Sequence, residues 1–496
     1  MANICTIRIL NEVYCVLVGL HPDHIGYFYE KYGKRTANHF FNPKFKLGSW
    51  DGKIRYFHKT GKTYVALLDE IIPSVIGLGY KIRLDDLRTA IRVDPDPIDK
   101  DFFSYVKGPS GESWEMRPYQ VEMVNVLVKE GGGIGIAGTG AGKTSVSAAI
   151  AKIYEDTANF RSIIIVPDKN LTDQTYRRYE QFGLDVGTYY GDRKDINHKH
   201  IVSTWQSLQN NKHFIQEFQV IIVDEAHGLR GNVLTELLNE YGKDIPYRFG
   251  VTGTLPKGES DELAVRVAVG SVKYSIPAHV LQKQGYLADL DITVIQHKID
   301  LQLQYQDYLH ELPPLDKPLT YAKFRDTYFP DFTAEKTFLQ NFDQRTKWIA
   351  DYIIAKHELG KGNVLCLVNG VRFGKKLADK IPGAIFLSGK DSMEERREVY
   401  DRFTHQNNLT VIATVQIAST GLDIPRIFNM ISVDLGKSFV RTIQSIGRGL
   451  RKAHDKDSVH YTDICCDLKY SKRHLTERKK YYREANYPFK VKPTPL

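Results

Sequence analysis

Cysteine is scarce in this chain: five residues among 496, at positions 5, 15, 366, 465 and 466. They show neither paired CxxC spacing nor the density of a disulfide scaffold, so they read as reduced intracellular thiols. Long apolar runs are missing as well. No stretch reaches the roughly 18 apolar residues of a membrane span. The opening MANICTIRIL has no basic segment leading into such a stretch. Membrane insertion and secretion are not expected, and a cytoplasmic location is. Low-complexity segments and short repeats are also absent. Acids are nearly missing from two stretches. Between Lys31 and Lys62 nine Lys/Arg face one acid, Asp51, and between Lys469 and Lys492 nine face two, Glu477 and Glu484. Clusters of this kind suit a polyanionic partner.

What is present describes a multidomain globular protein. Hydrophobic residues make up 42% and charged residues 26%, the formal net charge is +9, and the length suffices for three domains. Residues 1–98 mix short alternating stretches, Cys5 to Leu10 and Thr63 to Leu68, with a helix around His24 to Lys31, as in a small α+β domain. Asp94-Pro95-Asp96-Pro97 interrupts regular structure and marks a linker. Over 105–276 apolar runs alternate with helical stretches: Gly133 to Ala137, Ser162 to Val166, His200 to Ser203, Val220 to Val223 and Arg248 to Thr252. A second series over 277–465 holds Val364 to Val368, Ala384 to Leu387, Thr410 to Ala413 and Met430 to Val433, after helices over 300–345. Such alternation implies two tandem α/β domains, each with a covered parallel sheet. Residues 466–496 read as a basic C-terminal tail.

The strongest local motif runs from Ala137 through Gly138, Thr139, Gly140, Ala141, Gly142, Lys143 and Thr144 to Ser145, after a strand and before the helical run Ser145 to Tyr154. This is the context of a P-loop: successive N–H groups cradle the phosphates of ATP, Lys143 meets the β- and γ-phosphates, and the Thr144 hydroxyl ligates Mg²⁺. Val220 to Val223 leads straight into Asp224-Glu225-Ala226-His227, two carboxylates at the C-terminal end of a buried strand. Asp224 suits Mg²⁺ through its water shell, and Glu225 suits orienting and deprotonating the attacking water. Farther on, Gln444, Arg448 and Arg451 fall on one helix face, placing guanidinium groups where an arginine finger is needed. A basic helix facing DNA is the plainer alternative for that face.

In this order the motifs resemble those of superfamily 2 helicases of the DEAH-box-like type. The resemblance covers about 115 to 465, and that family accepts alanine at the place of Ala137. It implies two RecA-like motor domains and further roles. Arg117 and Gln120 would recognise adenine; Pro167, Leu171 and Gln174, with Thr204 in Ser203 to Leu208, would track a DNA strand. Thr252-Gly253-Thr254 would couple hydrolysis to movement. In Thr420 to Pro425, Gly421 and Asp423 would approach the nucleotide, and Thr414 would grip DNA from the second motor domain.

The stretch Phe41 to Arg55 interleaves aromatics with cations, as nucleic-acid surfaces do, and nominates Lys44, Lys46, Trp50, Lys53 and Arg55 as DNA contacts. It is similar to the UvsW-type recombination helicases of tailed phages, which extends the resemblance over nearly the whole chain. That implies unwinding and branch migration of forks, Holliday junctions and R-loops, with RNA a partner in the last, in recombination, repair and replication in the host cytoplasm. Two other readings compete. Pro22-Asp23 with Asp51-Gly52-Lys53 resembles a degenerate metal-nuclease constellation, which would make the chain the motor of a nuclease or restriction system. A non-catalytic DNA scaffold is the other, and the intact Lys143, Asp224, Glu225, Arg448 and Arg451 speak against it.

Overall fold

The computed structural model describes residues 3–36, 39–108, 111–226, 232–256, 258–313, 317–358, 362–419, 426–436, 447, 452–453 and 455–496. The chain forms two compact units and passes from the first to the second between Ile276 and Pro277.

The first unit opens with strands β1 (Ile4–Ile9), β2 (Tyr14–Val18), β3 (Gly33–Arg35), β4 (Lys53–Arg55), β5 (Lys62–Tyr64) and β6 (Lys81–Asp86). Four of them form a sheet in the order β5-β2-β1-β6, and β3 and β4 make a separate antiparallel ribbon. Alternation puts Cys5, Ile7 and Ile9 into a core with Phe28 of the helix Pro22–Lys31 and with Leu68, Ile71 and Val75 of the helix Leu68–Gly77. The alternating stretch expected over Thr63 to Leu68 is a strand only to Tyr64. Val65–Leu67 is a 3₁₀ turn, and the helix that follows has Asp69 and Glu70 in its first turn and buries Leu68, Ile71 and Val75 at spacings of three and four.

Residues 87–99 have no regular structure, yet they are not a loose tether. Arg88 pairs with the Glu12 carboxylate at 3.0 Å, and the Ile98 N–H donates to Asn125 at 2.9 Å. Leu263 and Val267, from the helix Glu259–Val269 far along the chain, complete the N-terminal core. Residues 1–98 therefore belong to the same compact unit as the α/β domain behind them.

That domain's strands are β7 (Gly132–Ala137), β8 (Ser162–Val166), β9 (Val186–Tyr190), β10 (Arg193–Asp195), β11 (His200–Thr204), β12 (Val220–Asp224), β13 (Tyr247–Thr252) and β14 (Val272–Ile276). They lie in the order β10-β9-β11-β8-β12-β13-β7-β14, parallel except for β10. The central strands are buried throughout, as a sheet covered on both faces requires.

The second unit holds β15 (Asp289–Lys298), β16 (Asn363–Val368), β17 (Ile385–Leu387), β18 (Thr410–Thr414), β19 (Ile427–Val433), β20 (Ser458–Cys466) and β21 (Phe489–Pro495). All are parallel, in the order β17-β18-β16-β19-β20-β15-β21. Helices Gln302–Glu311, Tyr321–Thr327, Phe332–Asn341 and Asp343–Glu358 lead into it. The expected tail over 466–496 is instead a helix, Lys469–Glu484, followed by the edge strand β21. Ser471, Leu475, Arg478 and Tyr482 form the buried face of that helix, so its basic residues reflect one solvated face of a packed element. All five cysteines are buried and unbridged, and burial pushes the Cys15 thiol up to about 12. Among the described residues no helix is long and apolar enough to cross a membrane.

Candidate functional site

The candidate site lies along one edge of the first parallel sheet. Register sets Thr252 beside Ile136, Asp224 beside Val251 and Thr204 beside Val166. The C-terminal ends of β7, β13, β12, β8 and β11 thus form one line. The glycine-rich loop follows β7, Thr252-Gly253-Thr254 ends β13, and Asp224-Glu225 ends β12. Pro167 follows β8, and Thr204 ends β11. The residues assigned to ATP occupy one half of this edge and those assigned to DNA the other, as ligand sites of parallel sheets do.

The loop demands glycine. Gly140 and Gly142 have φ of +88° and +77°, and a Cβ on Gly142 would sit 2.4 Å from the Gln120 amide nitrogen. The helix Lys143–Ala158 starts immediately after, so its free N–H groups and positive dipole end point where the loop turns. Gln120, 3% exposed, accepts from the Arg117 N–H at 2.9 Å, and its amide nitrogen lies 3.5 Å from the Gly142 carbonyl. The Arg117 guanidinium donates to the Tyr119 hydroxyl at 3.0 Å. The segment expected to recognise adenine is therefore tied structurally to the glycine-rich loop.

Lys143 Nζ stands 3.9 Å from Glu225 Oε1, both side chains largely withdrawn from solvent. Glu225 has φ of +52°, a left-handed backbone unusual for a side chain of this size, and its N–H donates to Asp224 Oδ1 at 2.9 Å. Such strain persists only where its surroundings enforce it, and it clusters at functional sites. Thr144, next to Lys143, offers a hydroxyl, and Asp224 and Glu225 offer adjacent carboxylates, all of them hard-oxygen donors. Octahedral Mg²⁺ is commonly bound through one or two protein ligands, with water and substrate phosphate completing its shell, so these residues fit Mg·ATP.

On the other half of the edge, Gln206 Nε2 donates to the Pro167 carbonyl at 3.4 Å, joining two segments expected to track a strand. Thr204 is only 4% exposed, and its hydroxyl caps the helix Trp205–Asn210 by accepting from the Ser207 N–H. Burial and this capping role leave its side chain little to offer DNA. Gln174 is half-buried on the helix Lys169–Gln181. In the second unit Thr414, 5% exposed at the end of β18, has a hydroxyl with no hydrogen-bond partner among the described residues. Gly421, Asp423, Gln444, Arg448 and Arg451 lie outside the described residues, as does His227.

The basic N-terminal stretch divides in two. Trp50 is half-buried and donates its indole N–H to the Lys53 carbonyl at 2.8 Å. Lys53 pairs with Glu30 at 2.8 Å, while Arg55 pairs with Asp51 at 2.5 Å and with Glu30 at 3.4 Å. Arg55 also stacks over the Tyr29 ring at 4.6 Å. Lys53 holds Glu30, and Arg55 holds Asp51, below the usual carboxylate range. Glu30 lies one position outside the acid-poor stretch Lys31 to Lys62, and Trp50, Lys53 and Arg55 are each engaged by partners within the protein. Lys44 and Lys46 stay exposed.

Residues 22–85 match the family described as DNA helicase UvsW, N-terminal; 113–257 match Type III restriction enzyme, res subunit; and 344–453 match Helicase conserved C-terminal domain. The ATP-dependent DNA helicase uvsW of Enterobacteria phage T4 is 24% identical over 470 residues, covering 91% of this chain and 88% of that protein. The DNA 3'-5' helicase XPB of Kineococcus radiotolerans is 23% identical over 413 residues, covering 79% of this chain and 68% of that one. Among solved structures, the DNA-bound Type ISP restriction-modification enzyme LlaBIII superposes with a TM-score of 0.54 at 15% identity, over 86% of this chain and 36% of that one, a likeness of fold.

Proposed function

We propose that this chain, a superfamily 2 DNA helicase and ATPase, unwinds and branch-migrates branched DNA: forks, Holliday junctions and R-loops. Recombination, repair and replication in a host cytoplasm are its setting. Residues 1–98 engage the branch, 105–276 and 277–465 act as the two motor domains, and residues after 465 complete the second. The observation that carries the ATP half of the reading is the Lys143–Glu225 approach beside a glycine-rich helix start, on the strand edge that also presents Pro167. Lys143 neutralises phosphate charge, Thr144 and Asp224 hold Mg²⁺, and Glu225 takes a proton from the attacking water. Gln444, Arg448, Arg451, Gly421 and Asp423 are assigned to ATP by their motifs alone. DNA contact falls to Lys44, Lys46, Pro167, Gln174 and Thr414, and phosphate-dominated contact makes the motor indifferent to sequence.

The nuclease constellation behind the restriction-motor reading is less well served, because one of its two carboxylates, Asp51, is engaged by Arg55 and by the Lys53 N–H at 3.0 Å. The test is ATP-dependent processing of a synthetic Holliday junction against a 3′-tailed duplex, with wild type and Lys143→Ala. Junction processing that falls by about 10²–10³ in Lys143→Ala supports the proposal. A wild type that opens only the tailed duplex overturns branch migration.

A further inference from the structure

We propose that residues 39–52 form a strand-separating wedge whose working tip is Phe40, Phe41 and Leu47, seated at the junction where paired DNA splits. This rests on the branched-DNA reading above and names the part that would do the separating.

The segment is an excursion from the β3–β4 ribbon, closed at its neck by the Thr36 N–H donating to the Gly52 carbonyl at 2.9 Å. It has its own internal support. His39 Nδ1 lies 2.7 Å from the Thr36 carbonyl, and the His39 and Phe45 rings meet edge to face at 4.7 Å. A Cβ on Gly52 would press on the His39 ring at 3.0 Å, and the short helix Pro43–Lys46 is capped by Asn42. What this scaffold holds outward is apolar. Phe41 is 69% exposed, Leu47 81% and Phe40 49%, with the two phenyl rings 4.5 Å apart.

A cluster of large apolar side chains on an ordered projection marks a contact surface, and its flanks identify the occupant. Lys44 and Lys46 are exposed, and neither makes an ion pair among the described residues. Lys53 and Arg55, nearer the neck, are neutralised by Glu30 and Asp51. The tip therefore offers flat apolar groups between two uncompensated cations. A base pair at a branch point offers the complement, an unstacked face flanked by phosphates, and apolar side chains inserted at base steps unstack them.

A wedge must also be pushed, and this one is backed without a flexible joint. Lys34 of β3 pairs with Glu259 at 2.9 Å, and the Tyr56 hydroxyl, just past β4, donates to the Ser260 carbonyl at 3.0 Å. Arg266 pairs with Glu70 at 2.5 Å, and Leu263 and Val267 lie inside the N-terminal core. All five residues on the motor side belong to the helix Glu259–Val269, which follows closely on Thr252-Gly253-Thr254. Movement of the first motor domain is transmitted directly to the neck of the wedge.

The experiment uses the full chain on a fork carrying 2-aminopurine at the first base pair. It follows fluorescence on binding, ATP-driven opening, and ATP turnover on single-stranded DNA. Phe41→Ala with Leu47→Ala changes exposed residues and should leave the melting curve in place. The expected result is a loss of the fluorescence rise and about tenfold slower fork opening, with the defect in opening rather than in ATP turnover. Phe41→Trp should restore opening. Unchanged opening in the alanine variant overturns the wedge alone, as does a tip whose loss affects only binding to anionic vesicles. A wild type that turns over ATP on single strands but opens no fork or junction overturns the branched-DNA reading and the wedge with it.

Discussion

The central strands of the two parallel sheets end in the same unusual turn, and the two sheets use it differently. Glu225 after β12 and Asp434 after β19 both carry a carboxylate on a left-handed backbone, with φ of +52° and +49°. Glu225 faces Lys143 beside the glycine-rich loop. Asp434 is clamped by Arg345, fully buried, through two bonds of 2.7 and 2.8 Å. Asp463 on β20 is likewise held by Arg478 at 2.8 and 2.9 Å, with Tyr482 donating at 2.9 Å. The buried arginine of the first sheet has the opposite arrangement. Arg248 donates to the carbonyls of Leu238, Gly242 and Ala268, and no carboxylate among the described residues is within ion-pair reach. Burial pushes its pKa down to about 10, with Glu12 acting only from farther off. For Arg345 and Arg478 burial acts the same way, but Asp434 and Asp463 outweigh it and both pKa values rise. The first sheet turns Glu225 toward Lys143, whereas the second uses Asp434 and Asp463 to hold helices.

The largest effect that could break this contrast is on activity. Glu225→Gln should lower DNA-stimulated ATP turnover by about 10²–10⁴-fold while leaving thermal stability nearly intact. Asp434→Asn should do the reverse, and a stable, inactive Asp434→Asn would erase the distinction. Next is Arg478→Met, which leaves Asp463 buried with its charge uncompensated and should cost about 3–5 kcal/mol, read as lost hydrogen-exchange protection in β20. The same change at Arg248 strands only neutral carbonyls and should cost about 1–3 kcal/mol in β13. Equal losses at the two sites would mean that the carboxylate partner makes no difference.

These arginines also show where a sequence stops being readable. The glycine-rich loop and Asp224-Glu225 were legible because their chemistry sits in contiguous residues at a strand end, and the strands themselves because buried runs such as Ser162 to Val166 leave little ambiguity. The Arg478–Asp463 pair joins positions 15 residues apart by packing alone, so in the sequence Arg478 reads as part of a basic tail. Leu263 and Val267 read as helix residues of the motor domain, and nothing local says that they fill a core built from residues 5 to 80. Lys53 and Arg55 carry charge in the sequence that Glu30 and Asp51 remove in the fold, which is why the uncompensated cations of Phe41 to Arg55 narrow to Lys44 and Lys46.

The smallest effect sharpens the contrast by pH. His297 is fully buried beside Arg345, whose Nε donates to its Nδ1 at 3.2 Å, and the Trp348 ring meets it edge-on at 4.4 Å. A ring nitrogen accepting a proton from arginine must itself be bare, which places the imidazole proton on Nε2. Burial, and then the Arg345 charge, push the His297 pKa down to about 3. In the unfolded chain it titrates near its ordinary value of about 6.5. At higher pH both states are neutral and His297 contributes no pH dependence. As pH falls through that value the unfolded state takes up a proton that the folded state refuses until about 3. Stability of the second unit should therefore decline across this window, by up to about 1.4 kcal/mol per pH unit. Gln at this position keeps an acceptor for Arg345 and does not titrate, so His297→Gln should flatten the acid limb of hydrogen-exchange protection in β15 and β20 while leaving β12 and β13 unaffected. Superimposable wild-type and His297→Gln profiles between about pH 6.5 and 4.5 would show that the cation beside His297 does not keep it neutral, and that the Arg345–Asp434 clamp is electrostatically closed on its own.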